Sequence, residues 1–571
     1  MHAAPRVLIV TPEVAYLPQG MSADAGYLGA KAGGLGDVSA ALIRALYEQG
    51  ADVHVTVPDY RTLFNVHLPL EYRRELRTIM GRIPEDRLHL AEDRAFFYLN
   101  RVYANSEKES TKIAIAFQRE IINHIVPRVK PDLIHCNDWT TGLIPAMARQ
   151  IGIPCLFSIH NLHTLHCTLE QIEDRGIDAA EFWQNLYFET MPRDYETSRS
   201  HNRVDFLVSG VFAAHFVNTV SPTFLREVVE GRHHFIQEQI RQEIANKAAA
   251  GCAVGILNAP EPSYDPKRDI ALVRRYGPKD HRVGKAENKQ ALQHRLGLIP
   301  DSRAPLFFWP SRLDPVQKGC QLLTDILYRV VARFWKKNLQ FVFVADGEYQ
   351  KHFRDIVRFH DFQHRVAVRD YDEPLARLAY AASDFVLMPS RFEPCGLPQM
   401  IGAIYGSLPV VHDTGGLHDT VRHLDPGADS GNGFLFEVFD SHGLLWAMTE
   451  AVEFLQRPES VRAPIVARIM RESADRFNFD TTARRYMSLY EEMLKRPLRS
   501  MGPIQDSGSI RSLPGTEDTP KPQRSEASDR PRPADFRSAA SARRHAVSVN
   551  RNTIQNTGLT LFPLPCPEPT S

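Results

Sequence analysis

Cysteine is scarce in this 571-residue chain: seven residues, scattered, odd in number and without one C-x-x-C pair. That excludes a disulfide framework and leads us to expect the reduced thiols of a cytoplasmic protein. A surplus of charge of either sign is missing as well, with 68 basic residues against 68 acidic ones, which argues against wholesale nucleic-acid binding. The local cluster "GRHHF" at Gly231 reads as solvated helix surface rather than as a phosphate-backbone footprint. No stretch reaches the roughly 18 apolar residues of a membrane span, and the early run "VLIV" is too short for a signal-peptide core, so neither export nor a membrane partner is expected.

What is present is an ordinary globular composition, 43% hydrophobic and 24% charged, on a chain too long for one hydrophobic core. Short, continuously apolar runs alternate with helical periodicity up to about Lys495, the pattern of parallel sheets covered on both faces. "RVLIVTPEV", "ADVHVTV", "PDLIHCND", "PCLFSIHN" and "HFVNTVS" read as strands of a first domain, residues 1–258. "APLFFWPS", "LQFVFVAD", "RVAVRD", "DFVLMPS" and "LPVVHD" read as strands of a second, residues 259–479. A helix over 480–496 is expected to cross back to the first domain. The remainder, 497–571, is rich in Pro, Ser and charge and is expected to be disordered. The fold class is thus α/β, with two Rossmann-like, doubly wound domains facing a central cleft where ligands of open α/β sheets bind.

Three loops carry chemistry. "KAGGLGDV" places Lys31 and the glycines Gly33 and Gly34 between the first strand and a helix, although it fits neither the Walker nor the dinucleotide-binding pattern. Backbone N–H groups and the positive helix end there would stabilise an anion; the plainer reading is a glycine turn with an exposed lysine. "FFWPSRLDPVQKG" puts Arg312 and Lys318 past a strand end, a planar fork and a point charge suited to a departing diphosphate. "PSRFEPCGLPQM" sets Glu393 at a helix start, where it accepts from hydroxyls or merely complements the helix dipole.

In this order, and beside "HCNDWTTGLIPA", "SIHNLH", "NTVSPTFLREV", "GILN" and "TGGLHDTV", these segments resemble the bacterial glycogen and plant starch synthases, glycosyltransferase family five, of GT-B fold. The likeness covers nearly the whole ordered chain. It implies transfer of glucose from a nucleotide-glucose, usually ADP-glucose, to the non-reducing end of an α-1,4-glucan such as glycogen, with retention and with no metal or other cofactor. It also implies residue roles. Lys31, Gly33 and Gly34 would meet the donor's diphosphate and glucose; Arg312 and Lys318 would stabilise the departing diphosphate. Glu393, Cys395 and Gly396 would hold glucose hydroxyls, and Asn258 would contact glucose. His160 and Asn161 would lie beside the reacting sugar, Asp138 near the acceptor side, and Tyr371 would stack on adenine.

A retaining glycosidase would use two carboxylates roughly 5 Å apart, and no convincing pair is found. The resemblance suggests front-face displacement instead, with the leaving diphosphate helping to deprotonate the acceptor. Some segments depart from the family. Lys318 follows Arg312 by six positions where the family has five, so the loop either bulges or misaligns the charge. "APEPSYDP" follows "GILN", "LHTLHC" replaces the usual A-Y-Q-G, and Ala32 stands where the family has threonine or valine. His160, His163 and His166 invite a metal reading, but no carboxylate or cysteine accompanies them at zinc spacing. A transferase using UDP-glucose or another acceptor, and a catalytically weakened glucan-binding protein, are the alternative readings.

Overall fold

The computed structural model describes residues 4–18, 20–22, 28–64 and 87–498; disorder is expected from 497, but Leu498 is buried in the first domain's core, and the tail lies outside the described residues from 499 onward. In chain order the strands are β1 (Arg6–Val10), β2 (Asp52–Pro58), β3 (Leu88–Ala91), β4 (Leu133–Asn137), β5 (Cys155–Ile159), β6 (His166–Cys167), β7 (Val204–Asp205), β8 (Phe216–Thr219) and β9 (Ala253–Gly255). Then come β10 (Leu306–Trp309), β11 (Gln340–Val344), β12 (Val366–Arg369), β13 (Phe385–Met388), β14 (Leu408–His412) and β15 (Phe434–Phe436). The first domain is a parallel sheet ordered β3-β2-β1-β4-β5-β8-β9, the second a parallel sheet ordered β12-β11-β10-β13-β14-β15, and β6 and β7 form a small antiparallel pair.

The apolar runs are buried throughout because helices cover both faces of each sheet. In β10, Phe307 and Trp309 enter the core that holds Phe341 and Phe343, whereas Phe308 points to the opposite core with Val342 and Val344. This period-two alternation between two dry faces is why the strand reads as continuous hydrophobicity. All ten sequence-read strands are present. β3, β6, β7, β9 and β15 were not foreseen: β3, β9 and β15 are sheet-edge strands of four residues or fewer, and β6 and β7 are a two-residue pair outside both large sheets.

The helix Phe479–Leu494 packs into the first domain's core through Tyr486, Met487 and Tyr490. Asn478 caps it by accepting the Thr481 N–H at 3.0 Å, which fixes where the returning chain becomes helical. The Tyr490 hydroxyl lies 2.7 Å from His135 Nδ1, His135 Nε2 lies 2.5 Å from Ser158 Oγ, and Asn218 Nδ2 donates to the Tyr486 hydroxyl at 3.0 Å. Burial pushes His135 down to about 3, so the ring is neutral and depends on hydrogen bonds rather than charge.

The two domains also exchange helix caps. Asp419, in the second domain's helix Gly415–Thr420, accepts from the Thr223 N–H at 3.0 Å and from the Ser221 and Thr223 hydroxyls at 2.6 and 2.7 Å, at the start of the first domain's helix Pro222–Val229. Glu227, from that same first-domain helix, accepts the Gly415 N–H at 3.0 and 3.1 Å.

Tyr490→Phe deletes one buried partner of a neutral histidine and should cost on the order of 1–3 kcal/mol. A lowered thermal midpoint with no change in catalytic pH dependence is the expected outcome; an unchanged midpoint would show that the helix is held by apolar packing alone.

Candidate active site

Parallel sheets present the loops that leave the carboxyl ends of their strands on one side, and the candidate residues lie on such loops. Asp138 follows β4 directly, and His160 and Asn161 follow β5; Asn258 comes after β9, Arg312 after β10, Tyr371 after β12 and Glu393 after β13. Lys31 and Gly33 lie on the connection that leads into the helix Gly34–Glu48, with Gly33 as its N-cap. Gly34 is thus the first helical residue.

In the first domain the organising group is Asp138, 1% exposed. One carboxylate oxygen accepts the His160 and Asn161 backbone N–H groups at 2.7 and 3.3 Å, and the other accepts Asn161 Nδ2 at 2.7 Å. Its backbone sits at φ 56°, ψ −179°, a conformation that costs a non-glycine residue about 1–3 kcal/mol and persists because these bonds over-determine it. Burial pushes the Asp138 carboxyl up to about 7, against the two N–H donors and with help from the charge of Glu13. His160 is pushed down to about 4 by burial, and its Nε2 lies 3.0 Å from Asn137 Oδ1. A neutral imidazole therefore donates from Nε2.

Lys31 is partly exposed and its Nζ lies 2.7 Å from Asp37 Oδ2. Burial alone would lower its pKa, but the Asp37 bond and charge, with Glu373 and Tyr371 of the second domain, raise it. Asp37 is raised by burial despite Lys31.

In the second domain Lys318 Nζ contacts Glu393 Oε2 at 2.6 Å, the two side chains being 9% and 8% exposed. The Ser390 hydroxyl donates to the same oxygen at 2.9 Å. The extra residue between Arg312 and Lys318 is absorbed by a turn: Asp314 Oδ1 accepts the Val316 and Gln317 N–H groups at 2.9 and 2.8 Å, and its carbonyl accepts the Lys318 N–H at 3.2 Å. From this turned loop Lys318 reaches Glu393. Gly319 then takes φ 67°, and a Cβ there would stand 2.0 Å from the Pro389 carbonyl oxygen, so only glycine lets the lysine loop lie against the Glu393 segment. Gly415 plays the same part on the other side, with φ 46° and a virtual Cβ 2.1 Å from the Glu393 carbonyl.

Arg312 is exposed and enters no ion pair among the described residues. Asn258 is 6% exposed and its Oδ1 has no hydrogen-bond partner among the described residues. Burial pushes the Cys395 thiol up to about 12, with the Asn258 backbone donating to it; a thiol so protonated is packing, not a nucleophile. Gly396 has φ 72°. Tyr371 is half-exposed, its backbone N–H held by Asp346 Oδ1 at 2.9 Å.

The three histidines do not converge. His160 faces Asn137, the His163 ring stands edge-on to Trp139 at 5.3 Å, and His166 Nε2 reaches Asp205 at 3.1 Å. Among the described residues no group of three His, Cys, Asp or Glu is placed to hold a metal ion.

"GRHHF" corrects our reading. It is a turn rather than helix surface: His233 is nearly buried, its Nε2 lies 2.9 Å from Glu227, and Phe235 packs on Phe392 with ring centroids 4.1 Å apart. Sequence reasoning also missed Glu13, Tyr103, Glu227 and Asp419. No local pattern marked Glu13, Glu227 or Asp419: Glu227 stands in PTFLREVV and Asp419 in GGLHDT, each beside other polar residues.

A family model for the starch synthase catalytic domain matches residues 6–241, and one for glycosyl transferases group 1 matches residues 304–453. A glycogen synthase of Moorella thermoacetica is 32% identical over 520 residues, spanning 88% of this chain and 99% of the relative. One of Desulfitobacterium hafniense is 30% identical over 495 residues, spanning 81% and 96%. Among solved structures, the catalytic domain of starch synthase IV from Arabidopsis thaliana, bound to ADP and acarbose, aligns with a TM-score of 0.68 at 25% identity over 86% of this chain and 100% of that one. A sucrose-phosphate synthase from Thermosynechococcus elongatus shares the fold, with a TM-score of 0.50 at 17% identity. With two parallel-sheet domains whose strand-end loops carry the family's motifs, the chain belongs to the glycogen and starch synthase family: it is a glycosyltransferase of GT-B fold.

Proposed function

We propose that the protein transfers glucose from ADP-glucose to the non-reducing end of an α-1,4-glucan, with retention, and does so in the cytoplasm, where its buried thiols stay reduced. Residues 1–258 form the acceptor-side domain, 259–479 the nucleotide-sugar domain, and 480–496 the helix joining the second back to the first. The observation that carries this reading is the buried Lys318–Glu393 pair, with Arg312 on the same strand-end loop, exposed and in no ion pair among the described residues. Arg312 offers a fork and Lys318 a point charge to the diphosphate, while both bonds to Glu393 fall on Oε2 and leave Oε1 for a sugar hydroxyl. The unpartnered Asn258 Oδ1 is a second acceptor awaiting a hydroxyl.

In the reaction, the acceptor hydroxyl oxygen bonds to the anomeric carbon on the face from which the diphosphate oxygen departs, and the hydroxyl proton passes to that departing oxygen. Arg312 and Lys318 neutralise the charge that develops on the diphosphate. Lys31 adds a cation from the first domain. Tyr371 presents its exposed face to the adenine, and Gly33, Gly34, Cys395 and Gly396 let the backbone approach the glucose. Neutral His160 and Asn161, fixed by Asp138, border the sugar and acceptor.

Incorporation of labelled glucose into glycogen from ADP-glucose, exceeding that from UDP-glucose, is the direct test. The reverse preference would reassign the donor, and no incorporation from either would leave a glucan-binding role. Lys318→Ala should lower turnover by about 10²–10³ with glucan affinity little changed; turnover at the wild-type level would remove Lys318 from the mechanism. Asp138 is an anion only above about 7, and that form holds the three donors of His160 and Asn161 most strongly. Transfer should therefore fall as pH drops through about 7, and Asp138→Asn should abolish that limb.

A further inference from the structure

The glycine-rich loop encloses a carboxylate of its own chain. Glu13, three residues past β1 and 2% exposed, accepts the Ala32 and Gly33 N–H groups on Oε2 at 2.5 and 3.0 Å. Its other oxygen, Oε1, accepts the Tyr103 hydroxyl at 3.1 Å. The loop is seated on the same segment by backbone bonds, Val14 and Ala30 pairing at 2.9 and 2.8 Å and the Ala15 N–H donating to the Gly36 carbonyl at 2.9 Å. A Cβ on Gly36 would stand 3.2 Å from Glu13 Oε2, so that glycine gives the carboxylate its room. Tyr103 packs in turn on Trp139, ring centroids 6.3 Å apart, and Trp139 is the residue after Asp138.

Two consequences follow from this geometry. The loop N–H groups expected to meet a diphosphate already have an anion, so the donor meets Lys31 and the glycine surface instead. The loop is also mechanically and electrostatically joined to the corner that holds His160. We propose that Glu13 is a positioning residue for glucosyl transfer: its buried carboxylate holds the glycine-rich loop at Ala32 and Gly33 and, through Tyr103, registers that loop against Asp138 and His160.

The inference rests on the reading that those two residues border the reacting sugar. The titratable groups facing Asp138 are His160, Tyr103 and Glu13. Of these, Glu13 adds negative charge that works in the same direction as burial on the Asp138 carboxyl. Removing the Glu13 charge while keeping its shape must therefore ease the ionisation of Asp138, an effect that a purely structural prop would not have.

The test uses the full chain with Glu13→Gln and, as the charge-retaining control, Glu13→Asp. Hydrogen exchange of the peptide spanning residues 28–38, measured without substrate, should quicken in both variants, because Gln presents one acceptor and Asp a shortened one. The KM for ADP-glucose should rise about tenfold in Glu13→Gln, the scale of a lost bond to a charged acceptor. The acid limb of its pH profile should lie below that of the wild type, while Glu13→Asp keeps the wild-type limb. Unchanged loop exchange overturns the anchoring. Faster exchange with wild-type KM and an unmoved limb overturns the coupling to transfer. If the wild type transfers no glucose, the functional reading fails, and the exchange result alone still decides whether Glu13 holds the loop; should Glu13→Gln not fold, Glu13→Asp carries the exchange and KM measurements.

Discussion

A carboxylate withdrawn from water must find hydrogen-bond donors or a cation, since an uncompensated buried charge costs several kcal/mol. In this protein that requirement shapes the site. Glu13 is surrounded by loop N–H groups, Asp138 by the backbone and amide of the His160–Asn161 segment, Glu393 by Lys318 and Ser390, and Glu227 and Asp419 by helix starts of the opposite domain. Glu13 and Asp138 fix loop segments that have no regular secondary structure to hold them, and Glu227 and Asp419 fix the starts of two helices.

The exchange of caps between helices Pro222–Val229 and Gly415–Thr420 gives the domain contact a discrete geometry. A helix start presents orphan N–H groups in fixed directions and favours negative charge. Each helix offers its start to a carboxylate carried by the other, so sliding either domain breaks bonds to both Asp419 and Glu227 together. Because the Gly416 N–H also donates to the Glu393 carbonyl at 2.9 Å, the segment proposed to meet the sugar is registered to the same joint.

The fold was largely legible because its central strands are dry on both faces, which leaves a run of apolar residues too long to be accidental. The strands that escaped notice are short: β3, β9 and β15 are edge strands of three or four residues and β6 and β7 have two each, whereas the equally short edge strand β12 was read from its apolar Val366–Val368 run. The Lys318 loop was half legible: its charges could be read, but the direction of the extra residue depended on Asp314 turning back on its own N–H groups. Glu13, Glu227 and Asp419 were illegible for a different reason. Their partners stand 20, 188 and 196 residues away, and no local pattern announces a hydrogen bond that the topology makes.

The same pairing of acids with cations bears on selectivity. Lys31 leans on Asp37 and Lys318 on Glu393, leaving Arg312 as the unpaired cation of the proposed site. The Lys31–Asp37 pair is open to solvent and contributes little, whereas the Lys318–Glu393 pair is buried and its attraction is screened far less. A lone phosphate drawing Lys318 toward itself would leave Glu393 buried with only Ser390. Glucose alone would bring hydroxyls for Glu393 but no charge for Arg312. A nucleotide-sugar does both at once: its diphosphate takes up the field of the cations while the hydroxyls of the attached glucose supply the donors that Glu393 and Asn258 then need. On the proposed reading, preference for the intact donor over either fragment follows from the burial of Glu393 rather than from any contact specific to the base.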